Sequence, residues 1–358
     1  MYIQISSSNK NELVFRHDST TDNHSQVEDI PVIENTGEIL IDKSSTGKVR
    51  NWEEKKRNNL KLVEILKSFR ISYPELLSSS RLIQVVECAN YLKYGITQEG
   101  IKRLVEANFC RFKFCPICIW RKSLKMFSQV SAVTEKLNEK YPSARYIFVT
   151  LTVRNVRAEE LSSTIDRLNE GFKYLVQKSR TMKESEIFKE SLLGYIKAIE
   201  ITYNRKTKDY HPHIHAIFHL KSSYFGSNYI KQSQWVKIWK SMMNLDYDPL
   251  VDVKAIKKAY SDNPGIIAEV SKYPIKSSDI LSIANEEERN EVLATFLTST
   301  YHRRFVTFGG TFREVKRELA LDDIEDGSLV HVESNNDKLN YVSYELYKYD
   351  FKYGVYVC

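Results

Sequence analysis

GYIKAIEITYNRKTKDYHPHIHAIFHL, residues 194–220, is the stretch from which the rest of the chain can be organised. Two apolar runs flank the polar segment RKTKD (205–209), so the whole reads as a β-hairpin. Side chains of a strand alternate between faces, which sets His211, His213 and His215 of HPHIH on one side. Three imidazoles on one face can chelate a divalent metal, although a His-x-His pair alone is more often incidental. Residues directly opposite in an antiparallel hairpin share a face. Pairing Tyr203 with Tyr210 at the turn places Glu200 opposite His213. Glu200 lies between Ile199 and Ile201, and a carboxylate in an apolar strand is costly unless paired or bound to a cation. Two or three imidazoles with one carboxylate suit a phosphate-activating Mg²⁺ or Mn²⁺. The competing reading turns Glu200 to solvent.

On either side, period and punctuation give further elements. SARYIFVTLTVRN (143–155) alternates like a strand, and a helix over 158–182 carries Leu161, Ile165, Leu168, Phe172 and Leu175. A helix over 230–243 carries Trp235, Ile238 and Trp239. GIIAEVSKYPIKSSD (265–279) reads as a short helix ending near Tyr273, because the following Pro274 disfavours helical geometry there. Another helix covers 286–302, and RRFVTFGG (303–310) is a strand closed by two glycines. This order predicts an α+β fold, a five-stranded antiparallel sheet covered by helices with the histidine hairpin at its centre.

Residues 1–50 hold five Lys/Arg and eight Asp/Glu, and 1–49, with no sustained period, read as a mobile acidic tail. Residues 51–130 hold fifteen Lys/Arg against seven Asp/Glu, an excess that suits a polyanion as well as a solvated surface. Order is expected from RNWEEKKRNNLKLVEILKSF (50–69), an amphipathic helix, followed by a second helical region from Pro74 to Ala89. Residues 50–130 thus form a basic, helical and cysteine-bearing region. Residues 326–358 read as a C-terminal tail in which YELYKYDFKYGVYV (344–357) alternates like a strand.

Cys110, Cys115 and Cys118 are spaced C-x₄-C-x₂-C, with Cys88 upstream. Four thiolates can close a structural Zn²⁺ site, although the spacing is irregular and four unconnected reduced cysteines are the alternative. Terminal Cys358 is set aside. Residues 101–125 hold seven Lys/Arg and one acid, interleaved with Phe109, Phe112, Phe114 and Trp120. Such a mixture neutralises phosphates and stacks bases, or else forms the core of a small knuckle. Arg111, Lys113, Arg121 and Lys122 are the expected DNA contacts. No run approaches the ~20 apolar residues of a membrane helix. No secretion signal is visible either, so a cytoplasmic protein with reduced thiols and no membrane partner is expected.

In EVSKYPIK (269–276), Glu269 and Tyr273 are four apart and would share a helical face, with Lys272 and Lys276 close by. A tyrosine that attacks phosphorus makes a phosphotyrosine ester, which stores the broken bond for religation. A phenol of pKa about 10 needs a metal or a lysine to lose its proton. Among 22 tyrosines most are packing or surface, so the motif alone decides little.

FVTLTVRN (148–155), HPHIHAIF (211–218) and EVSKYPIKSSD (269–279), in that order, resemble the three motifs of His-hydrophobe-His (HUH) replication initiators. Within that group the chain is similar to the rolling-circle initiators (Rep) of small Gram-positive plasmids. The resemblance extends through ANFCRFKFCPICIWRKSLK (107–125) and FVTFGGTFREVKRELALDD (305–323), over residues 50–325. It implies a ferredoxin-like HUH nickase domain over 135–325. His213 and His215 would hold the metal, with Glu200 as third ligand and His211 as the alternative. Tyr273 would be the nucleophile, and Glu269 would take the terminating role that a second tyrosine has in some relatives. Lys276 matches a lysine beside the tyrosine, and Tyr260 is the spare nucleophile. The implied activity is nicking of one strand at a plasmid origin, in single-stranded or hairpin form, leaving a 5′-phosphotyrosyl link and a 3′-OH primer. A host helicase and DNA polymerase are the implied partners, with a homodimer left open. The rival readings are a relaxase or single-tyrosine transposase of the same chemistry, and a zinc-bearing DNA-binding protein without catalysis.

Overall fold

In the computed structural model, residues 30–44, 47–177, 183–226, 228–256, 264–272, 275–332 and 339–358 are described. The N-terminal part comprises β1 (Val32–Ile33), α1 (Trp52–Ser72), α2 (Ser79–Glu87), β2 (Tyr91–Thr97), β3 (Lys102–Ala107) and α3 (Pro116–Lys140). The central part comprises β4 (Arg145–Thr152), α4 (Ala158–Val176), α5 (Lys183–Ser191), β5 (Leu192–Asn204), β6 (Asp209–Leu220) and α6 (Gln232–Met243). It continues with β7 (Val251–Ile256), α7 (Pro264–Val270), α8 (Ser277–Leu281), α9 (Glu286–Ser299), β8 (Val306–Gly310) and α10 (Thr311–Glu318). The chain closes with β9 (Tyr341–Asp350) and β10 (Val355–Val357).

The histidine hairpin lies in the middle of a five-stranded sheet of order β7-β4-β6-β5-β8, in which every pairing is antiparallel. The β5–β6 register pairs Tyr203 with Tyr210 and Glu200 with His213. Helices cover both faces, so β5 and β6 are apolar on both sides. Ile199, Ile201, Ile214, Ala216 and Phe218 share a buried cluster with Ile165 and Phe172 of α4 and with Trp235 and Trp239 of α6. Ile196, Ala198 and Ile217 on the other face belong to a cluster with Met126 and Val130 of α3, Ile267 of α7 and Phe312 of α10. His213, His215 and His219 project to this second side, as their alternation with Ile217 requires. The closing glycines have a geometric cause: Gly310 has φ +53, and a Cβ there would collide with the Leu193 carbonyl.

Contrary to the expectation of a single sheet, the chain builds a second one, of order β1-β9-β2-β3 with β10 on β9. It is mixed, because β1 runs parallel to β9 while the other pairs are antiparallel. The segment assigned to a C-terminal tail therefore supplies β9, which pairs with β2. Residues 30–44, assigned to the mobile tail, also take part: Asp42 is buried and accepts hydrogen bonds from Arg50, Trp52 Nε1 (2.8 Å) and the Tyr94 hydroxyl (3.0 Å). Three donors on one buried carboxylate fasten this segment to α1 and β2. Other boundaries shift as well. The helix read over 158–182 ends at Val176, and the short helix read in 265–279 as ending near Tyr273 is α7, which stops at Val270, with α8 following from Ser277. Tyr273 and Pro274 between them lie outside the described residues, as does Tyr260.

His219 yields a test of this packing. It is fully buried, stacks on Tyr146 at 4.9 Å between centroids, and shares a hydrogen bond with Thr311 Oγ1 (2.9 Å). Burial pushes its imidazole down to about 4 from the usual 6.5. The unfolded chain therefore takes up the proton first as pH falls. The contribution is fully present above pH about 6.5 and is lost between there and pH about 4, about 3 kcal/mol in all. Thermal melts across that window should show His219→Phe less acid-sensitive than the wild type; parallel curves would contradict it.

Candidate active site

Three elements converge on one point. β6 supplies His213 and His215, and β5 supplies Glu200 from the directly paired position. The short segment after α7 supplies Lys276. The two Nε2 atoms lie 3.1 Å apart, and Glu200 Oε2 is 3.2 Å from His215 Nε2 and 3.5 Å from His213 Nε2. All three residues are buried. The far sides of the rings are fixed. His213 Nδ1 lies 3.2 Å from the His211 carbonyl, which can only accept, so the proton of that ring sits on Nδ1. His215 Nδ1 meets Thr150 Oγ1 at 3.1 Å, across the β4–β6 pair. With Nδ1 engaged on the far side of both rings, two Nε2 atoms and a carboxylate face one another, an arrangement that suits a cation. The 3.1 Å separation also matches the ~3.0 Å edge expected for two ligands at right angles and roughly 2.1 Å from an octahedral ion.

Burial alone would push the Glu200 carboxyl up. The contacts of His213, His215 and Lys276, with the charge of Lys276, override it and hold the group well below the usual carboxylate range, so it stays ionised. Lys276 Nζ lies 2.8 Å from Glu200 Oε1. Burial works against its ammonium too, but Glu200 keeps its pKa raised. Glu269, on α7, brings Oε1 to 3.7 Å from His215 Nε2 and pairs with Lys272. Glu269 and Lys276, four residues before and three residues after Tyr273 in the sequence, thus both face the cluster; Tyr273 itself lies outside the described residues. His211 turns aside: its Nδ1 meets Asn155 Oδ1 at 2.7 Å, and it is not in the convergent group.

A second cluster joins Cys88, Cys110, Cys115 and Cys118, all buried and none in a disulfide. Sulfur–sulfur separations of 3.6 Å (Cys115–Cys88) and 3.7 Å (Cys88–Cys118 and Cys110–Cys118) far exceed a disulfide bond. They match the ~3.8 Å edge of a tetrahedron with metal–sulfur bonds of about 2.3 Å. Backbone N–H groups of Cys110, Arg111 and Phe112 donate to the sulfurs, which favours thiolates.

Of the four expected DNA contacts, Arg121 and Lys122 are buried, Lys113 is half-buried and Arg111 is exposed. Arg121 is buried, donating from Nε to the Leu329 carbonyl (2.9 Å) and from Nη2 to that of Val330 (2.7 Å), with its cation over Trp52. Lys122 is buried beside Glu325, and burial pushes its pKa down. Lys113 donates to the Thr300 carbonyl and is half-buried. Arg111 is exposed but reaches the backbone carbonyls of Asp326 and Gly327. Arg121, Lys122 and Lys113 are thus engaged inside the fold, and of the four Arg111 alone keeps an exposed guanidinium. Missed in the sequence were Thr150, Asn155 and the polar pair Lys56 and Asn59 on the buried stripe of α1. Lys56 Nζ donates to the Cys88 carbonyl (2.7 Å), and Asn59 Nδ2 reaches Cys115 Sγ (3.5 Å). Their spacing with Trp52, Leu62 and Leu66 was a usable signal.

A family profile described as replication protein, Rep_1, matches residues 101–357. The chain belongs to this family of replication proteins. The resemblance to replication initiators read from the ordered motifs is borne out at that level. Protein rep of Streptococcus pneumoniae is 35% identical over 310 residues, covering 86% of this chain and 91% of that protein. Protein rep of Bacillus amyloliquefaciens is 34% identical over 333 residues, 88% of this chain and 96% of its own length. Protein rep of Lactiplantibacillus plantarum is 33% identical over 302 residues, 82% and 90% of the two chains. No solved structure matches the chain. No helix among the described residues is long and apolar enough to cross a membrane.

Proposed function

We propose that this replication protein is a plasmid rolling-circle initiator that nicks one DNA strand through a tyrosine, on an HUH-type sheet. The observation that carries the reading is the meeting of Glu200, His213 and His215 with Glu269 and Lys276, which bracket Tyr273. A Mg²⁺ or Mn²⁺ ion held by Glu200, His213 and His215 would supply a Lewis acid that polarises the scissile phosphate. The chain's own groups do the rest. Thr150 and the His211 carbonyl orient the two imidazoles. Lys276 holds Glu200 ionised and adds positive charge where the phosphorane's negative charge would build. The Tyr273 oxygen forms the bond to phosphorus as the bond to the 3′ oxygen breaks, and the phenolic proton is in balance transferred to that oxygen. The products are a 5′-phosphotyrosyl link and a 3′-OH primer for a host polymerase, with a host helicase opening the duplex. Glu269 would activate water or a DNA hydroxyl in the terminating step. A Zn²⁺ ion on the four cysteines would be structural.

The test is incubation with labelled single-stranded origin DNA and Mn²⁺, followed by denaturing electrophoresis. A covalent adduct is expected from the wild type. His213→Ala and His215→Ala should lose it while keeping duplex binding, which rests on phosphate contacts. Equal adduct from either variant would remove the metal assignment, and no wild-type adduct would leave a non-catalytic DNA-binding protein.

A further inference from the structure

We propose that the cavity between α2 and the 108–111 loop, beside the cysteine cluster, binds one unpaired nucleotide of the DNA on which the protein acts. The proposal rests on the DNA-processing reading above and extends it to a place remote in sequence from the histidine hairpin. The cavity measures about 330 Å³, and Arg81, Gln84, Glu87, Asn108, Phe109 and Arg111 line it. That volume falls in the range of small-ligand sites and is far too small for a duplex.

Its chemistry is that of a nucleotide site. Arg81 donates to Gln84 Oε1 (2.9 Å) and to the Cys110 carbonyl (3.0 Å). Arg111 donates to the carbonyls of Asp326 (2.9 Å) and Gly327 (3.0 Å). These acceptors are all uncharged, and the lining carries two permanent cations, Arg81 and Arg111, and one carboxylate, Glu87. A guanidinium so placed keeps donors and charge for a phosphate. Asn108 gives Nδ2 to the Glu87 carbonyl (2.6 Å), while its Oδ1 is buried without a hydrogen-bond partner. Amide and carboxylate groups read base edges, and the half-buried Phe109, whose ring stacks on Trp52 at 6.3 Å, adds an aromatic side chain to the lining. Arg111 has φ +57, a left-handed conformation uncommon outside glycine. Its backbone N–H donates to Cys118 Sγ (3.2 Å), so the cysteine cluster fixes the turn that carries the guanidinium.

Gln84 is the position to probe, because it is exposed and its side chain meets Arg81 at the cavity wall. Fluorescence anisotropy with a labelled single-stranded oligonucleotide of mixed sequence is the readout, at two salt concentrations, with melting temperature as the fold control. Gln84→Lys should tighten binding and Gln84→Glu should weaken it, separating the two by about tenfold, with the salt slope rising in the first and falling in the second. Arg81→Gln should also weaken binding. A purely structural role for these residues would not give opposite signs for the two charges. Lysine and glutamate variants that bind within about twofold of each other, both folded, would overturn the proposal. Adduct formation by the wild type, read separately, reports on the nickase reading, so the two fail independently.

Discussion

Tyr273→Phe should abolish the covalent protein–DNA adduct, with a fall of more than about a thousandfold, while binding and folding survive. The change removes one oxygen and leaves a ring, so whatever packing the residue makes is largely kept. The hydroxyl that it removes is the proposed nucleophile. Glu269→Ala should behave differently. Its carboxylate stands 3.7 Å from His215 Nε2 and is tied to Lys272, and in the proposed mechanism it handles a proton without being the attacking group. It should still nick and still form the adduct within a few-fold of the wild type, but terminate poorly and leave over-long replication products. Equal termination by Glu269→Ala and wild type would reduce Glu269 to a partner of Lys272. A Tyr273→Phe protein that still forms the adduct would move the nucleophile elsewhere, with Tyr260 the first place to look.

The histidine hairpin was legible because its register depends on local rules. A polar turn, two apolar runs and strict alternation leave one pairing that buries Ile199, Ile201 and Ile214 together, and that pairing brings Glu200 opposite His213. The second sheet was not legible. β2 pairs with β9, so that Tyr94 meets Glu345 across most of the chain, and its inner face carries polar groups: Lys102 bonds Glu345 (2.5 Å) and the Tyr347 hydroxyl (2.8 Å). Short strands with charged inward residues give no clean period. The basic segment 101–125 was legible only in part, for another reason. Net charge counts cations without their directions, yet Cys118, Arg121, Lys122, Lys125 and Gln129 recur at helical spacing on the buried side of α3. Four polar residues on the same stripe as a buried cysteine signal internal anchoring. Lys125 and Gln129 hold Asp322, and Arg121 holds residues 329–330.

That anchoring makes the cysteine cluster the second place where a large effect is expected. Purified protein should carry about one Zn²⁺ per chain, released by denaturation or by a strong chelator. Cys115 is the N-cap residue of α3, and Cys118 lies in its first turn. Cys88 caps α2, and Cys110 follows β3. Three elements therefore end on one point, and the buried Lys56 of α1 adds a positive charge beneath it. Without a metal, four buried thiols at 3.6–3.7 Å hold these ends by weak contacts only. Cys88→Ser and Cys118→Ser should each lose the ion and destabilise the protein by several kcal/mol, given the roughly 10–16 kcal/mol that structural zinc contributes in small domains. The loss should spread to the 322–330 segment, which hydrogen exchange can follow, because α3 carries the residues that hold it. The alternative, four reduced cysteines that only pack, predicts a protein free of zinc whose Cys→Ser variants melt within a few degrees of the wild type and whose stability a chelator leaves unchanged. Elemental analysis and melts with and without chelator separate the two.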